Sequence, residues 1–378
     1  MATTLRNMPN DIIINILSRL PVKSLIRFKC VCKSWHALVS DPNFIDTHLN
    51  HTRANNDGYV LSKYRDWENS GGEHKAVLHC DETFVEHTQL ELPLKSFFEG
   101  PRVVGYCDGL FCIYSPKSQR YECDVYLWNP SIRKFRVLPD IDSFNGSPVA
   151  FGFVPQINDY TVVNFFYDEN FRGMFSRAEG MCITYPPRVD IYSLRTNSWE
   201  EVQNVIPCQP WDRTKYSTLN GVVHWVAVSG TEENQYEFIL SFDMANKIFG
   251  EIKLPEYDGS DGILLDKSAM ALMGSLPLFV SLEDRQRRGV WIDIWVMKKY
   301  GAAESWSKQY SFNLELNVYY PVGFMKNDEV VLKLQSAELI SYDPRSQQVK
   351  HLHVHPVRTY LSDFTYYTES LLLLNEGN

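Results

Sequence analysis

Apolar residues in the first 50 positions recur at the spacing of amphipathic helices. The pattern predicts a helix that has Pro9 in its first turn and ends at Pro21, because its apolar residues fall on one stripe: Ile12, Ile13, Ile16, Leu17 and Leu20. Two shorter helices are predicted over Val22 to Lys29 and over Cys32 to Val39, the second ending before Asp41-Pro42. Only one further short turn is expected after these three helices.

This N-terminal module has more apolar residues than its own core can use. Ile14, Val22, Ile26 and Val31 lie off the stripes that three short helices would turn inward. About 45 residues cannot bury so much surface by themselves. Two explanations stay open at this point: the extra residues pack on the rest of the chain, or they form an exposed patch that binds another protein.

Beyond about residue 58 the pattern changes to short alternating β-branched and aromatic runs, which are typical of strands. Five segments share an aromatic residue at a strand end followed by a polar turn: Trp128-Asn129-Pro130, Tyr192-Ser193-Leu194, Phe242-Asp243-Met244, Trp295-Val296-Met297 and Tyr342-Asp343-Pro344. In four of them a large apolar residue follows seven positions later: Phe135, Trp199, Phe249 and Val349. In the fifth, Trp306 follows at eleven, as if four residues were inserted in the turn. Each segment therefore predicts a β-hairpin.

Four-stranded units of about 50 residues, repeated along a chain, are typical of a β-propeller. We therefore predict a small N-terminal all-α module of three helices followed by an all-β propeller-like domain with about six blades. Strands within residues 58 to 98 are expected to pair with the terminal Phe364 to Leu374 and close the ring. The alternative is a β-sandwich in which the aromatic spacing is a coincidence.

Charge and composition narrow the function classes. The 378-residue chain has a formal net charge of −9, but its first 50 residues carry six Lys/Arg against three Asp/Glu, so a +3 module precedes a −12 body. That balance argues against binding to nucleic acid or to a membrane. A helix-turn-helix is disfavoured because the basic residues of the module are spread among apolar ones, without a polar recognition helix. No secretory signal is evident, so we expect a cytoplasmic or nuclear protein.

The N-terminal residues carry a specific resemblance. Met8-Pro9-x-Asp11, the run from Ile16 to Trp35 and Asp41-Pro42-x-Phe44 resemble the F-box. This resemblance implies a three-helix module that docks on a Skp-type adaptor and, through it, on the cullin and RING subunits of a ubiquitin ligase. By motif position, it places these residues in contact with the adaptor: Pro9, Ile13, Ile16, Leu17, Leu20, Pro21, Leu25, Val31 and Trp35.

Most of the remaining chain resembles the F-box-associated domain of plant F-box proteins. The matching stretches are Gly105 to Cys112, Leu127 to Lys134, Phe151 to Phe153 and Asn158 to Val163. Within that family, the sequence of these stretches is most similar to the S-locus F-box and S-locus F-box-like proteins. The targets that this resemblance implies are style ribonucleases of pollen self-incompatibility. We therefore divide the chain into an F-box (1–50), a connection with the first strands of the closing blade (51–102) and the F-box-associated propeller (103–378).

Enzyme signatures are absent from the sequence, including nucleophile elbows, phosphate-binding loops and zinc-protease motifs. The pattern His351-x-His353-x-His355 places three imidazoles on one face of a strand. We interpret it as a polar face exposed to solvent in preference to a metal site. We expect no catalytic residue, no metal and no cofactor.

Three loops could instead contact a protein substrate, because aromatic and arginine side chains on loops are common binding residues. The candidates are Phe171, Arg172, Phe175, Arg177, Tyr257, Asp258, Asp261, Arg285, Arg287 and Arg288. The sequence thus predicts a non-catalytic substrate receptor of a ubiquitin ligase, with a basic style ribonuclease as one target. The alternatives are a receptor for a different target in growth or defence signalling and, less favoured, a propeller lectin or enzyme.

Overall fold

The computed structural model describes most of the 378-residue chain. The described residues are 9–55, 59–66, 73–80, 84–90, 101–116, 123–140, 149–166, 187–203, 205, 208–210, 216–231, 234–255, 262–269, 276–284, 289–314, 316, 318–325, 327–336, 338–352 and 361–373.

The N-terminal module contains four helices rather than the three predicted: α1 (Asn10–Leu17), α2 (Val22–Phe28), α3 (Lys33–Val39) and α4 (Pro42–Asn55). Pro9 and Pro21 directly precede α1 and α2. Asp41-Pro42 does end α3, but it also begins α4, because proline is favoured at the first position of a helix. The Asp41 carboxylate accepts the Asn43 N–H at 2.8 Å and caps this helix. α4 continues past residue 50, where we had placed the end of the module.

In the rest of the described residues the regular structure is β, apart from a 3₁₀ turn at Ala303–Ser305. The strands are β1 (Tyr59–Asp66), β2 (Glu73–Cys80), β3 (Glu86–Leu90), β4 (Arg102–Cys107), β5 (Leu110–Pro116), β6 (Cys123–Asn129), β7 (Lys134–Val137), β8 (Val149–Val154), β9 (Asp159–Phe166), β10 (Arg188–Ser193), β11 (Ser198–Val202), β12 (Gln209–Pro210), β13 (Ser217–Leu219), β14 (Val222–Thr231), β15 (Asn234–Asp243), β16 (Ile248–Lys253), β17 (Gly262–Ala269), β18 (Leu276–Asp284), β19 (Gly289–Met297), β20 (Trp306–Asn313), β21 (Val318–Phe324), β22 (Val330–Leu334), β23 (Leu339–Asp343), β24 (Gln348–Leu352) and β25 (Leu361–Tyr367).

These strands form antiparallel sheets that follow one another along the chain as blades of a propeller. Five blades use contiguous strands: blade 1 (β4–β7), blade 2 (β8–β11), blade 3 (β12–β16), blade 4 (β17–β20) and blade 5 (β21–β24). The remaining sheet, here called the closing sheet, has the order β25-β1-β2-β3 and joins the two ends of the β domain. The estimate of about six blades is therefore corrected to five contiguous blades and one composite sheet. The predicted pairing of the two ends is confirmed, with Val60 opposite Tyr366.

The predicted hairpins have the expected register in four of the five cases. The residues seven positions apart lie directly opposite each other on paired strands: Trp128 and Phe135, Tyr192 and Trp199, Phe242 and Phe249, and Tyr342 and Val349. The fifth pairing was wrong. Trp295 lies opposite Lys308, and Trp306 lies opposite Met297, because the turn is longer and the register shifts after Ile294.

The tight turns of these four hairpins share one backbone conformation. Their fourth residues have positive φ angles, at Arg133 (54°), Asn197 (52°), Lys247 (59°) and Gln347 (58°). In three of them, the Asn or Asp after the aromatic residue accepts a main-chain N–H two positions later, at 2.9 Å. A shared turn chemistry thus explains why an Asn or Asp so often follows the aromatic residue.

Neighbouring blades bury apolar side chains between them. Blades 2 and 3 enclose the largest buried cluster, which includes Phe165, Trp225 and Phe242. Blades 1 and 2 enclose a second cluster, which includes Leu127, Val162 and Tyr192. Within the described part of the chain, no helix is long and apolar enough to cross a membrane.

Candidate functional site

The N-terminal helices have a buried face that packs on the propeller. Its core consists of Leu17, Val22, Leu25, Val39, Phe44 and Ile45. Three propeller-domain residues join this cluster: Ile132 from the β6–β7 turn, and Leu371 and Leu372 from the chain after β25. Val22, one of the surplus apolar residues, is fully buried here. The first explanation of the surplus therefore holds for this face.

The same helices also keep large apolar side chains in solvent. Ile12 and Ile16, one turn apart on α1, are each 48% exposed, and Val31 in the α2–α3 turn is 65% exposed. Pro9 and Pro21 are exposed as well. We call these five residues the exposed helical face. Large exposed apolar patches are typical of surfaces that bind another protein, so the second explanation of the surplus stays a prediction for this face.

The residues that the F-box resemblance implicates in adaptor binding fall into three groups. Pro9, Ile16, Pro21 and Val31 lie on the exposed helical face. Ile13, Leu20 and Trp35 are half-buried. The ring centres of Trp35 and Phe28 lie 5.1 Å apart. Leu17 and Leu25 are buried in the helical core. Ile12 was missed, although its place four residues before Ile16 on the apolar stripe could have revealed it.

Several exposed side chains of α2 and α3 are basic. Lys23, Arg27 and Lys33 are exposed on α2 and α3. Partial burial and the nearby Lys134 of blade 1 both lower the pKa of Lys29. A partner that covers this side of the molecule would therefore combine apolar contacts with acidic groups.

The helices contact the propeller at one end of its blades. Ile132 belongs to the β6–β7 turn, and Asp108, which pairs with Arg53 of α4, belongs to the β4–β5 turn. On blade 2, Phe153 and Tyr160 flank the β8–β9 turn and reach the same pair: the Arg53 guanidinium lies 5.6 Å from the Phe153 ring centre, and the Tyr160 hydroxyl donates to Asp108 at 2.9 Å. We call this the helix end of the propeller.

The ten candidate substrate contacts on the loops all lie outside the described residues. The strands that flank them are described, and the ends of these strands can be placed relative to the helices. Residues 167–186 follow Phe166 and precede Arg188, at the ends of β9 and β10 away from the β8–β9 turn. Residues 285–288 join β18 to β19 at the end away from the 298–305 turn, whose Tyr300 hydroxyl bonds His224 of blade 3 at 2.7 Å.

Residues 256–261 likewise follow β16 and precede β17 on the side away from the β15–β16 turn. All three segments thus connect strand ends opposite the helix end. We call this opposite side the far end.

The possible histidine site is described only in part. His351 is exposed on β24, and His353 and His355 lie outside the described residues. Among the residues that the structure describes, no group of three His, Cys, Asp or Glu side chains could hold a metal ion.

Comparison with known proteins finds the same two-part organisation. Residues 5–47 match the F-box domain, and residues 50–369 match the F-box associated beta propeller domain. An F-box protein of Arabidopsis thaliana is 27% identical, with 93% of this chain and 88% of the relative covered. The Arabidopsis F-box protein CPR1 is 25% identical, with 92% and 84% covered. A periplasmic gluconolactonase of Pseudomonas aeruginosa superposes on 82% of this chain and 99% of its own with a TM-score of 0.41 at 12% identity, too weak a likeness to carry an argument.

Proposed function

This chain belongs to the F-box proteins that carry an F-box-associated β-propeller domain, and from that premise we propose that it is the substrate-recognition subunit of a Skp-cullin-F-box ubiquitin ligase. One observation supports the proposal most directly. The helices bury one apolar face on their own propeller and leave Ile12, Ile16 and Val31 in water. Such a surface fits a protein partner better than a solvent-facing role.

The proposed adaptor surface consists of the exposed helical face together with the half-buried Ile13, Leu20 and Trp35. Leu17 and Leu25 are buried, so they cannot contact a partner directly. We propose that they support the adaptor surface by packing in the helical core beneath it. The basic residues around the face favour an acidic adaptor surface and would raise the rate of association.

The proposed substrate surface is the far end of the propeller. Its support is topological: the segments with the ten candidate contact residues connect strand ends there, away from the helices. The receptor would act by holding the target near the conjugating enzyme, which raises the effective concentration of target lysines without any catalytic group of its own.

The proposed target is a basic protein, and the style ribonuclease of the S-locus resemblance is one hypothesis of that kind. The −12 charge of the body outside the first 50 residues supports it, because complementary charge speeds encounter with a cationic partner. We expect purified style ribonuclease to bind the full chain and a charge-matched basic protein not to bind. Equal binding of both proteins, or no binding of the ribonuclease, would refute the ribonuclease hypothesis and leave the target in growth or defence signalling as the alternative.

The ligase role is tested by co-expression with a plant Skp-type adaptor. The test variant is Ile16→Asp with Val31→Asp, and the matched control is Ile248→Asp with Val85→Asp, since these propeller residues are 63% and 65% exposed. Wild type and control should co-purify with the adaptor, and the test variant should bind about 100-fold more weakly, because two apolar contacts become buried charges. A folded wild type that does not bind, or a test variant that binds like the control, would refute the proposal.

A further inference from the structure

Residues 368–373 follow the last strand and run between the helices and the blades; we call them the C-terminal segment. On the helix side, the Glu369 carboxylate accepts the Val22 N–H at 2.9 Å. Val22 is the first residue of α2, and no side chain of its own N-cap residue, Pro21, bonds this end. Leu371 is fully buried in the helical core, and Leu372 packs at its edge. The segment therefore supplies both a polar cap and a core residue to the helices.

On the propeller side, the same segment is held by side chains of blade 1. The Asn129 amide is fully buried and donates to the carbonyls of Ser370 at 3.0 Å and Leu372 at 2.9 Å. The Ser370 N–H donates to the Ser131 hydroxyl at 3.2 Å. Leu373 then enters the cluster between blades 1 and 2. The C-terminal segment thus contacts both the helices and the propeller.

The β4–β5 turn is shaped around this segment. The Tyr106 hydroxyl accepts the N–H groups of Thr368 at 2.5 Å and Gly109 at 3.0 Å. Gly109 has a φ of +85°, and a Cβ atom there would lie 2.5 Å from the Ser370 hydroxyl and 2.7 Å from the Thr368 carbonyl. Glycine is therefore required both by the backbone conformation and by the close passage of the segment.

A second anchor lies on α4. The Arg53 guanidinium makes a two-pronged contact with the Asp108 carboxylate, in which Nε lies 2.7 Å from Oδ1. Tyr160 donates to the same carboxylate, and burial together with Asp108 raises the pKa of its hydroxyl, so it stays a donor at physiological pH. Two anchors on different helices fix both the position and the rotation of the helical module.

We propose that the C-terminal segment is a splint that sets the orientation of the helical module on the propeller, and that Glu369, Leu371 and Asn129 are positioning residues for ubiquitin transfer. The proposal rests on the proposed ligase role for its consequence, but not for its geometry. The chain crosses from the helices to the sheets only once, between α4 and β1. Two domains joined in that way move relative to each other unless a packed interface prevents it.

The splint explains the role of two of the stretches that resemble the F-box-associated domain. Gly105 to Cys112 contains Tyr106, Asp108 and Gly109, and Leu127 to Lys134 contains Asn129, Ser131 and Ile132. All six residues contact the C-terminal segment or the helices. These stretches therefore serve the attachment of the F-box, at the end of the propeller opposite the proposed substrate surface.

The orientation is tested on the full chain by a distance measurement. Probes on genetically encoded residues at the exposed Lys33 of α3 and the exposed Ile248 of β16 report the helix-to-propeller distance by electron–electron resonance. The test variant is Glu369→Ala with Leu371→Ala, and the conservative control is Glu369→Gln, which keeps an oxygen acceptor for Val22. We expect a narrow distribution in wild type and control, and one at least about twofold broader in the test variant.

Should the test variant fail to fold, Arg53→Ala with Glu369→Ala removes one polar contact from each anchor without opening the core. A distribution in the folded variant as narrow as in wild type would overturn the splint. This readout needs no adaptor, so it is independent of the ligase role.

The consequence for transfer is tested in a reconstituted ligase, with the lysines of the propeller itself as acceptors. Wild type and Glu369→Gln should become ubiquitinated at a restricted set of lysines, and the test variant at a wider set, with adaptor binding unchanged. An unchanged lysine set despite a broadened distance would refute the positioning role. Failure of the folded wild type to bind the adaptor would instead refute the proposed function and leave the splint to be judged on the distance alone.

Discussion

The two faces of the N-terminal helices have similar compositions, but one is buried and the other is exposed to solvent. Val22 and Leu25 on α2 are fully buried against the propeller and its C-terminal segment, while Ile16 on α1 and Val31 after α2 stay in solvent. Residue type alone does not distinguish them, since all are aliphatic. What distinguishes them is the rest of the chain, which covers one face and leaves the other exposed to solvent. The comparison teaches that the surplus of apolar residues in a small module can be divided between an intramolecular interface and the surface that we propose for a partner.

The strongest way to break this comparison is to place a charge on each face in turn. Leu25→Asp should lower the free energy of unfolding by about 4 kcal/mol or more, because a carboxylate would be buried without a partner. Val31→Asp should change it by less than about 0.5 kcal/mol, since the side chain already contacts water. Urea unfolding followed by far-ultraviolet circular dichroism measures both. Equal losses would mean that the exposed helical face is part of the folded core.

A second prediction concerns pH and the buried face. The His48 ring is 2% exposed, and its Nε2–H donates to the Leu20 carbonyl at 3.0 Å. Burial is the main cause of its lowered pKa, with His51 acting in the same direction and Glu369 opposing. The unfolded chain therefore binds a proton more readily, so this contribution to stability is full above pH about 6.5 and is lost as the pH falls towards the folded-state pKa.

Hydrogen exchange of the helices should accordingly quicken as the pH is lowered through this range, after correction for the intrinsic rate. His48→Gln keeps a donor for Leu20 and cannot titrate, so its profile should be flatter. Identical profiles for the two proteins would assign the pH dependence to another group.

The smallest expected effect sharpens the boundary of the buried face. Ile132 is the third residue of its hairpin turn and packs on the helices, whereas the equivalent residues of three other blades are polar: Thr196, Asn246 and Ser346. Ile132→Thr should lower stability by about 1 kcal/mol through lost packing. The reciprocal change, Thr196→Ile, should stay within about 0.5 kcal/mol because Thr196 is exposed to solvent. Thermal unfolding compares the two, and a greater loss at Thr196 would contradict the assignment.

Local patterns predicted much of the fold. Pro9 marked the start of α1, and Pro21 marked the break between α1 and α2. The seven-residue spacing of aromatic and apolar residues predicted four hairpin registers. These features depend on nearby residues. The same reasoning failed at Trp295, where an eight-residue turn and a register shift separate it from Trp306. It also failed at Asp41-Pro42, which we took only as a stop although it caps and begins α4.

The division of the helical surface could not be predicted in this way. Leu371 and Leu25 belong to the same buried cluster, and no local period links two residues so far apart in the sequence. A signal was nonetheless present in the sequence, since Ile132 is the one apolar residue among four equivalent turn positions. The candidate substrate contacts lie outside the described residues and stay predictions.

The measurement that most directly tests the account is hydrogen exchange of the full chain with and without a Skp-type adaptor. We predict that the adaptor slows exchange in α1 and in the α2–α3 turn around Val31. It should leave the C-terminal segment, already held by Asn129 and Glu369, and the far-end strands unchanged. Protection that appears instead at the far-end strand residues beside Phe166 and Arg188, with none at Ile16 and Val31, would contradict the account.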